Sequence, residues 1–163
     1  MANASAAGRS ANAVTATWSD LGQITDDKRE WWRRQSGRTD WMACGVTWDA
    51  VSISPMPVGL AALSAARTDP RGGYMVLADH VKNVLYVLVP PGTGNACEGI
   101  VGVRVLSRGY QLLVPERPEH STIAADWISH PAGDKPARLV QAEQFAAHLR
   151  DLTTPTHERA VAS

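Results

Sequence analysis

The chain has 163 residues, of which 44% are hydrophobic and 20% charged, a size and composition that predict one soluble globular domain. Sixteen Lys and Arg residues balance sixteen Asp and Glu residues, so no overall electric field draws the protein to nucleic acid or to a membrane surface. The longest apolar runs, at 84–91 and 99–103, are far shorter than the roughly 20 residues that cross a bilayer. We therefore expect no membrane partner, and any contact with a polyanion requires a local patch.

The two ends of the chain differ in composition from its middle. Residues 1–16 are rich in Ala, Ser and Asn without the apolar core of a secretory signal, and residues 153–163 are polar. We expect disordered tails at 1–16 and 153–163 around one domain, 17–152, in a cytoplasmic protein. Cys44 and Cys97 are too few for a disulfide framework, and we expect both to be small buried or half-buried residues.

The first predicted elements are a helix, a strand and a second helix. Residues 26–34 begin with aspartates and end with arginines, which suits the dipole of a short helix. Residues 46–53 are rich in strand-forming types and are followed by Pro55 and Pro57, which end the strand. The Ala-rich segment 58–67 then predicts a helix that begins after Pro57.

Short strands follow. The runs 74–79 and 84–89 flank a brief connection and predict an antiparallel hairpin, and the runs 101–106 and 110–114 predict a second one. Periodicity leaves 123–128 open between a strand and a helical turn. The last element is a helix at 139–152, whose apolar stripe is formed by Ala142, Phe145, Leu149 and Leu152.

This order predicts an α+β fold, with a mainly antiparallel sheet of about five strands, including two hairpins, covered by helices. The connection 90–95 contains Gly92 and Gly94 but lacks the Lys-Ser/Thr pair of a phosphate-binding loop. We therefore interpret it as a plain connection between the hairpins.

Two segments carry candidate binding residues. Trp31, Trp32, Arg33 and Arg34 combine the aromatic and cationic side chains that single-stranded nucleic acid binding uses. The alternative is a helix with one Trp buried and both arginines solvated, since adjacent helical residues diverge by about 100 degrees. In the second segment, residues 108–128, Arg117 is a candidate phosphate ligand.

His120 follows Arg117 in that second segment and is a candidate to donate to the same phosphate or to ligate a metal. The alternative for this stretch is a charged surface loop that follows a strand. The residues alone leave both interpretations open.

Gly109-Tyr110, an apolar strand, Pro115, His120 and Trp127 occur in this order, and together they resemble a stretch of the N-terminal domain of bifunctional DNA primase/polymerases, in the archaeo-eukaryotic primase superfamily. The segment 44–53 and the helix after it are similar to that family's first metal-binding strand and the following helix. Short actinobacterial proteins also look like this, with a later segment similar to 89–93. The resemblance covers about residues 41–152.

The resemblance implies a primase-like fold in which nucleotidyl transfer has been lost. The family carries two acids separated by one residue on the first strand, because two divalent cations must be bridged by carboxylates. Here Asp49 stands alone, with Val51 two positions later. The main hypothesis is a degenerate, non-catalytic accessory or binding module of DNA replication, without a cofactor, whose partner is nucleic acid or a protein.

Two other hypotheses stay open. One is an active nucleotidyl-transfer enzyme that uses Asp49, His120 and Asp126, with Mg²⁺ or Mn²⁺ as its cofactor. The other is a protein-interaction domain that displays some of its six Trp residues as anchors. The sequence carries no signal for a substrate or an oligomeric state.

Overall fold

The computed structural model describes residues 17–21, 25–34, 39–69, 72–131 and 135–154. The predicted tails fall outside these ranges, apart from residues 153 and 154. In chain order the elements are α1 (Trp18–Leu21), α2 (Asp26–Arg34), β1 (Thr39–Ala43), β2 (Asp49–Ile53), α3 (Met56–Ala65), β3 (Val76–Asp79), β4 (Val84–Val89), a 3₁₀ turn (Gly94–Cys97), β5 (Val103–Leu106), β6 (Gln111–Pro115), a 3₁₀ turn (Pro118–His120), β7 (Asp126–Ser129) and α4 (Ala142–Thr153). None of the helices in the described ranges is long and apolar enough to span a bilayer.

The central element is a five-stranded sheet in the order β5-β2-β4-β3-β7, and every neighbouring pair in it is antiparallel. The predicted α+β class is confirmed. The hairpin predicted from 74–79 and 84–89 is present as β3 and β4, with Asp79 opposite Val84. The segment 123–128, which the sequence left open between a strand and a helical turn, contributes to a strand, β7, at one edge of this sheet.

The second predicted hairpin is wrong. Strand β5 pairs with β2, whereas β6 leaves the sheet and pairs with β1 in a separate two-stranded ribbon. Strand β1 was not among the predicted elements, which pass from the helix at 26–34 directly to the strand at 46–53. A turn signal such as Ser107-Arg108-Gly109 reverses the chain, but it does not determine which sheet the next strand joins.

Each face of the five-stranded sheet has its own core. Because side chains alternate along a strand, Val51 and Ile53 face α3 and α4, while Ala50 faces the opposite way. The ribbon and α1 cover that opposite face through Met42, Leu112, Val114 and Trp18, among others. The sheet is therefore the middle of three layers, and Asp49 lies at the start of β2 on the helix side.

Candidate functional site

Asp49, the candidate acid of the first strand, is buried and only 1% exposed. Its Oδ2 accepts hydrogen bonds from the backbone N–H groups of Gly92 and Gly94, both at 3.0 Å. Its Oδ1 accepts one from the Ser107 hydroxyl, also at 3.0 Å. The carboxylate therefore holds two connections, the glycine-containing one and the one after β5, against the start of β2.

Asp126, the second candidate acid, pairs with a histidine that the sequence analysis did not assign to the site. The Nε2 atom of His80 lies 2.8 Å from Oδ2 of Asp126. His80 belongs to the connection between β3 and β4, and both side chains are about two-fifths exposed. The contact joins the β3–β4 hairpin to the edge strand β7.

The strand register separates the two acids. Asp126 lies opposite Ala78, and the same row continues through Leu85 to Ile53, at the other end of β2 from Asp49. The Cα atoms of Asp49 and Asp126 are separated by three strand spacings across the sheet and four residue steps along β2, which together amount to about 19 Å. Two catalytic metal ions lie only about 4 Å apart, so these carboxylates do not bridge a common pair of cations.

His120 and Arg117 lie after β6, which belongs to the ribbon on the opposite face from Asp49. Nδ1 of His120 is 4.0 Å from Oε2 of Glu116, and Arg117 is exposed. The next residue, Ser121, accepts a hydrogen bond from the N–H of Trp127, so this segment runs beside β7. His120 and Asp126 are thus on neighbouring segments, but the structure pairs each with a different side chain.

No cluster of three or more potential metal ligands is present in the part of the chain that the structure describes. The two cysteines are buried, as expected. Burial raises the pKa of Cys44 to about 12, helped by the charge of Asp49, and burial raises the pKa of Cys97 to about 11 although Arg150 acts against it. Both thiols are therefore protonated near neutral pH and are poor nucleophiles or metal ligands.

The basic end of α2 is on the surface. Trp31 is 47% exposed, and Arg33 and Arg34 are exposed as well. Both arginines pair with Glu30, Arg33 Nη2 at 2.6 Å and Arg34 Nε at 3.3 Å. The side chain of Trp32 lies outside the described residues.

Trp41 on β1 is a further exposed aromatic residue, which the sequence analysis did not select. It is 57% exposed, whereas its neighbour Met42 points into the core. Nζ of Lys28 lies 3.3 Å from Oδ2 of Asp40, and this ion pair attaches α2 to β1 next to Trp41. Lys28 and Trp41 also line one depression of about 230 Å³.

Lys28 and Trp31 are three positions apart and share a face of α2. The Lys28–Asp40 ion pair therefore attaches the helix that carries Trp31 to the strand that carries Trp41. We call the surface around the basic end of α2 and the adjoining strand β1, with the residues Lys28, Trp31, Arg33, Arg34 and Trp41, the aromatic–basic surface. On a strand, adjacent side chains point to opposite faces, so recognising β1 as a strand would have shown that either Trp41 or Met42 faces outward.

The tryptophans whose side chains are described divide into two groups. Trp18, Trp48 and Trp127 are at most 7% exposed and belong to the core of the ribbon face. The Trp127 ring nitrogen donates to the carbonyl oxygen of Pro115 at 3.0 Å, so it fastens β7 to the end of β6. The exposed rings of the aromatic–basic surface have no such core role.

Comparisons with protein-family models, curated proteins and solved structures find no match for this chain. The resemblance to primase/polymerases thus stays a prediction from short motifs.

Proposed function

We propose that this chain is a non-catalytic binding domain that holds single-stranded nucleic acid on the aromatic–basic surface. The observation that carries the proposal is the presence of two exposed indole rings, Trp31 on α2 and Trp41 on β1, on the two elements that the Lys28–Asp40 ion pair joins. Exposed aromatic rings stack on bases of any sequence, and nearby cations contact the phosphates. The chemistry of the surface thus fits single strands better than a duplex, whose bases are already stacked.

Arg33 and Arg34 add positive charge, and both can exchange their present carboxylate partner for a phosphate. Arg33 and Arg34 share the single carboxylate of Glu30, and the three side chains are between 46% and 74% exposed. Exposed ion pairs contribute only about 0–1 kcal/mol, so exchanging Glu30 for a phosphate oxygen costs little. Because Glu30 and Asp40 offset part of the charge, we expect weak binding that depends on salt.

The non-catalytic part of the proposal rests on how the fold uses the candidate acids. Asp49 binds three donors of its own chain, and Asp126, about 19 Å from Asp49, pairs with His80. The motif resemblance to primase/polymerases supports a role in nucleic-acid transactions for a domain that has kept the strand of Asp49 without its acid pair. We propose that the fold originated from a domain of that family.

Binding is tested by fluorescence anisotropy with a labelled oligothymidylate at several salt concentrations. If three basic side chains contact phosphates, log K falls with log salt at a slope of about −2. Trp31→Ala and Trp41→Ala each weaken binding about tenfold, because stacking contributes about 1–3 kcal/mol per base. Ile123→Ala, which removes an exposed apolar side chain outside the surface, leaves the affinity unchanged.

A different outcome would favour the protein-interaction hypothesis, which the depression beside Trp41 supports. If the oligonucleotide does not bind, while Trp41→Ala abolishes a self-association that salt does not weaken, the aromatic–basic surface holds a protein. That result contradicts the nucleic-acid proposal.

Catalysis is tested separately with a primed template, nucleotides and either Mn²⁺ or Mg²⁺. We expect no primer synthesis or extension by the purified protein, because the described carboxylates do not converge on a metal pair. Extension that Asp126→Asn abolishes would overturn the non-catalytic proposal. Extension that is unchanged in this variant would point to a contaminating polymerase, and repurification would then have to remove it.

A further inference from the structure

A second concave site lies on the helix side of the sheet, between the end of α3 and the edge strand β7. Its volume is about 370 Å³, which is within the range of small-molecule sites, roughly 300–1,000 Å³. Four apolar side chains form its walls, and polar side chains of the α3 end and of β7 complete the lining. The apolar walls are Leu60, Leu63, Val76 and Ile128, and the polar lining is Ser64, Arg67, Thr68, Asp69 and Ser129.

Arg67 occupies an unusual backbone position in this lining. Its φ is +54°, in the left-handed region that favours glycine. It is the residue that ends α3: its own N–H donates to the carbonyl of Ser64, and the N–H of Thr68 donates to the carbonyl of Leu63. This is the Schellman arrangement, in which glycine is the usual residue at the position of Arg67.

Arginine therefore stands at a position where glycine would end the helix with less backbone strain. An arginine could complement the negative end of the helix from any position in the last turn, without a left-handed backbone. Arg67 instead lines the pocket, and its guanidinium makes no ion pair with any residue that the structure describes. Strained residues of this kind concentrate at ligand sites.

We propose that this pocket binds a small monoanionic carboxylate with an apolar body, the carboxylate on Arg67 and the body between Leu60, Leu63 and Ile128. A guanidinium matches a carboxylate with two parallel hydrogen bonds, and the apolar walls suit a hydrocarbon. The carbonyl end of α3 beside Arg67 disfavours a doubly charged phosphate more than a single negative charge. The site is separate from the aromatic–basic surface.

An extended peptide added to β7 is a weaker interpretation of the same groove. Such a peptide needs free backbone groups along the outer edge of the strand. The N–H of Trp127 already donates to the Ser121 hydroxyl at 3.0 Å, and β7 has only four residues. The edge strand is thus short and partly capped by its own chain.

The test is an NMR titration of the ¹⁵N-labelled full chain with octanoate, with octanamide as the neutral match and with inorganic phosphate. We expect octanoate to shift the amides of Thr68, Val76 and Ile128 with a Kd on the order of 0.1 mM. Octanamide binds at least tenfold more weakly, because it lacks the charge-assisted hydrogen bonds to Arg67. Phosphate does not shift these amides.

Arg67→Gly separates binding from folding. Glycine accepts the left-handed backbone, so this variant keeps the helix end and its Tm is not lowered, whereas octanoate binding weakens at least tenfold. Arg108→Ala removes an exposed arginine outside the pocket and keeps the wild-type affinity. Ile128→Thr weakens octanoate and octanamide alike.

Four results would each overturn the proposal: no shifts with octanoate, equal affinity for octanamide, unchanged octanoate affinity in Arg67→Gly, or phosphate shifting the same amides. The last would assign the site to a different anion.

Discussion

Replacing Asp49 with Ala lowers the free energy of unfolding by about 4 kcal/mol, because three donors lose their acceptor together. The N–H of Gly94 is buried, and the Gly92 N–H and the Ser107 hydroxyl are partly buried, so water does not fully replace the carboxylate. Urea denaturation monitored by Trp fluorescence measures this loss. A loss of this size would mean that Asp49, which the resemblance places at a metal-binding position, stabilises the fold.

Asp49→Asn is the matched control for shape. Its amide oxygen can accept from Gly92 and Gly94, and its amide nitrogen can donate to the Ser107 hydroxyl, which also accepts. We expect Asn to lower stability by only about 1–2 kcal/mol, the difference between charge-assisted and neutral hydrogen bonds. If Ala and Asn both leave stability unchanged, the carboxylate does not hold these connections.

Gly45→Ala is expected to cost about 4 kcal/mol or more, enough to unfold a marginally stable domain. Gly45 has a φ of +82°, and a Cβ there would lie 2.7 Å from Cα of Arg108 and closer still to its nitrogen. The clash is with backbone, so the β1–β2 and β5–β6 connections must separate. These connections also carry the hydrogen bonds from Gly45 to the Trp48 carbonyl and from Cys44 to the Tyr110 carbonyl.

Gly99→Ala isolates the backbone part of this effect. Its φ is +80°, almost the same as that of Gly45, but a Cβ there meets nothing within 4 Å. We expect a loss of only about 1–2 kcal/mol, the cost of a left-handed non-glycine residue. Thermal unfolding of the two variants side by side gives the steric contribution as their difference, and equal Tm values would rule out the close contact.

Elements defined by a local pattern were predictable from the sequence. The acidic start and basic end of 26–34, the apolar stripe of 139–152 and the strand-forming run 84–89 each specify an element through near neighbours. The ribbon was not predictable in this way, because its two strands pair across a long stretch of chain. The turn at 107–109 gave the wrong partner for β6 for the same reason.

The environment of Asp49 depended on the same long-range information. The sequence contained a lone acid, a glycine-containing connection and a serine, but no local pattern places the three together. The interpretation of 90–95 as a plain connection missed that its N–H groups bind a carboxylate of the chain itself. Arg67 was equally hidden, since the sequence does not show that α3 ends in a left-handed residue.

The ribbon has a consequence for when the proposed binding surface exists. Trp41 pairs with Leu113, about 70 positions later, whereas β3 and β4 are joined by a short turn. Closing the longer loop costs more chain entropy, so we expect the ribbon to assemble after the hairpin. Trp41 and the Asp40 partner of Lys28 are then in place only in the completed molecule. A nucleic acid that needs this surface would distinguish finished chains from partly folded ones.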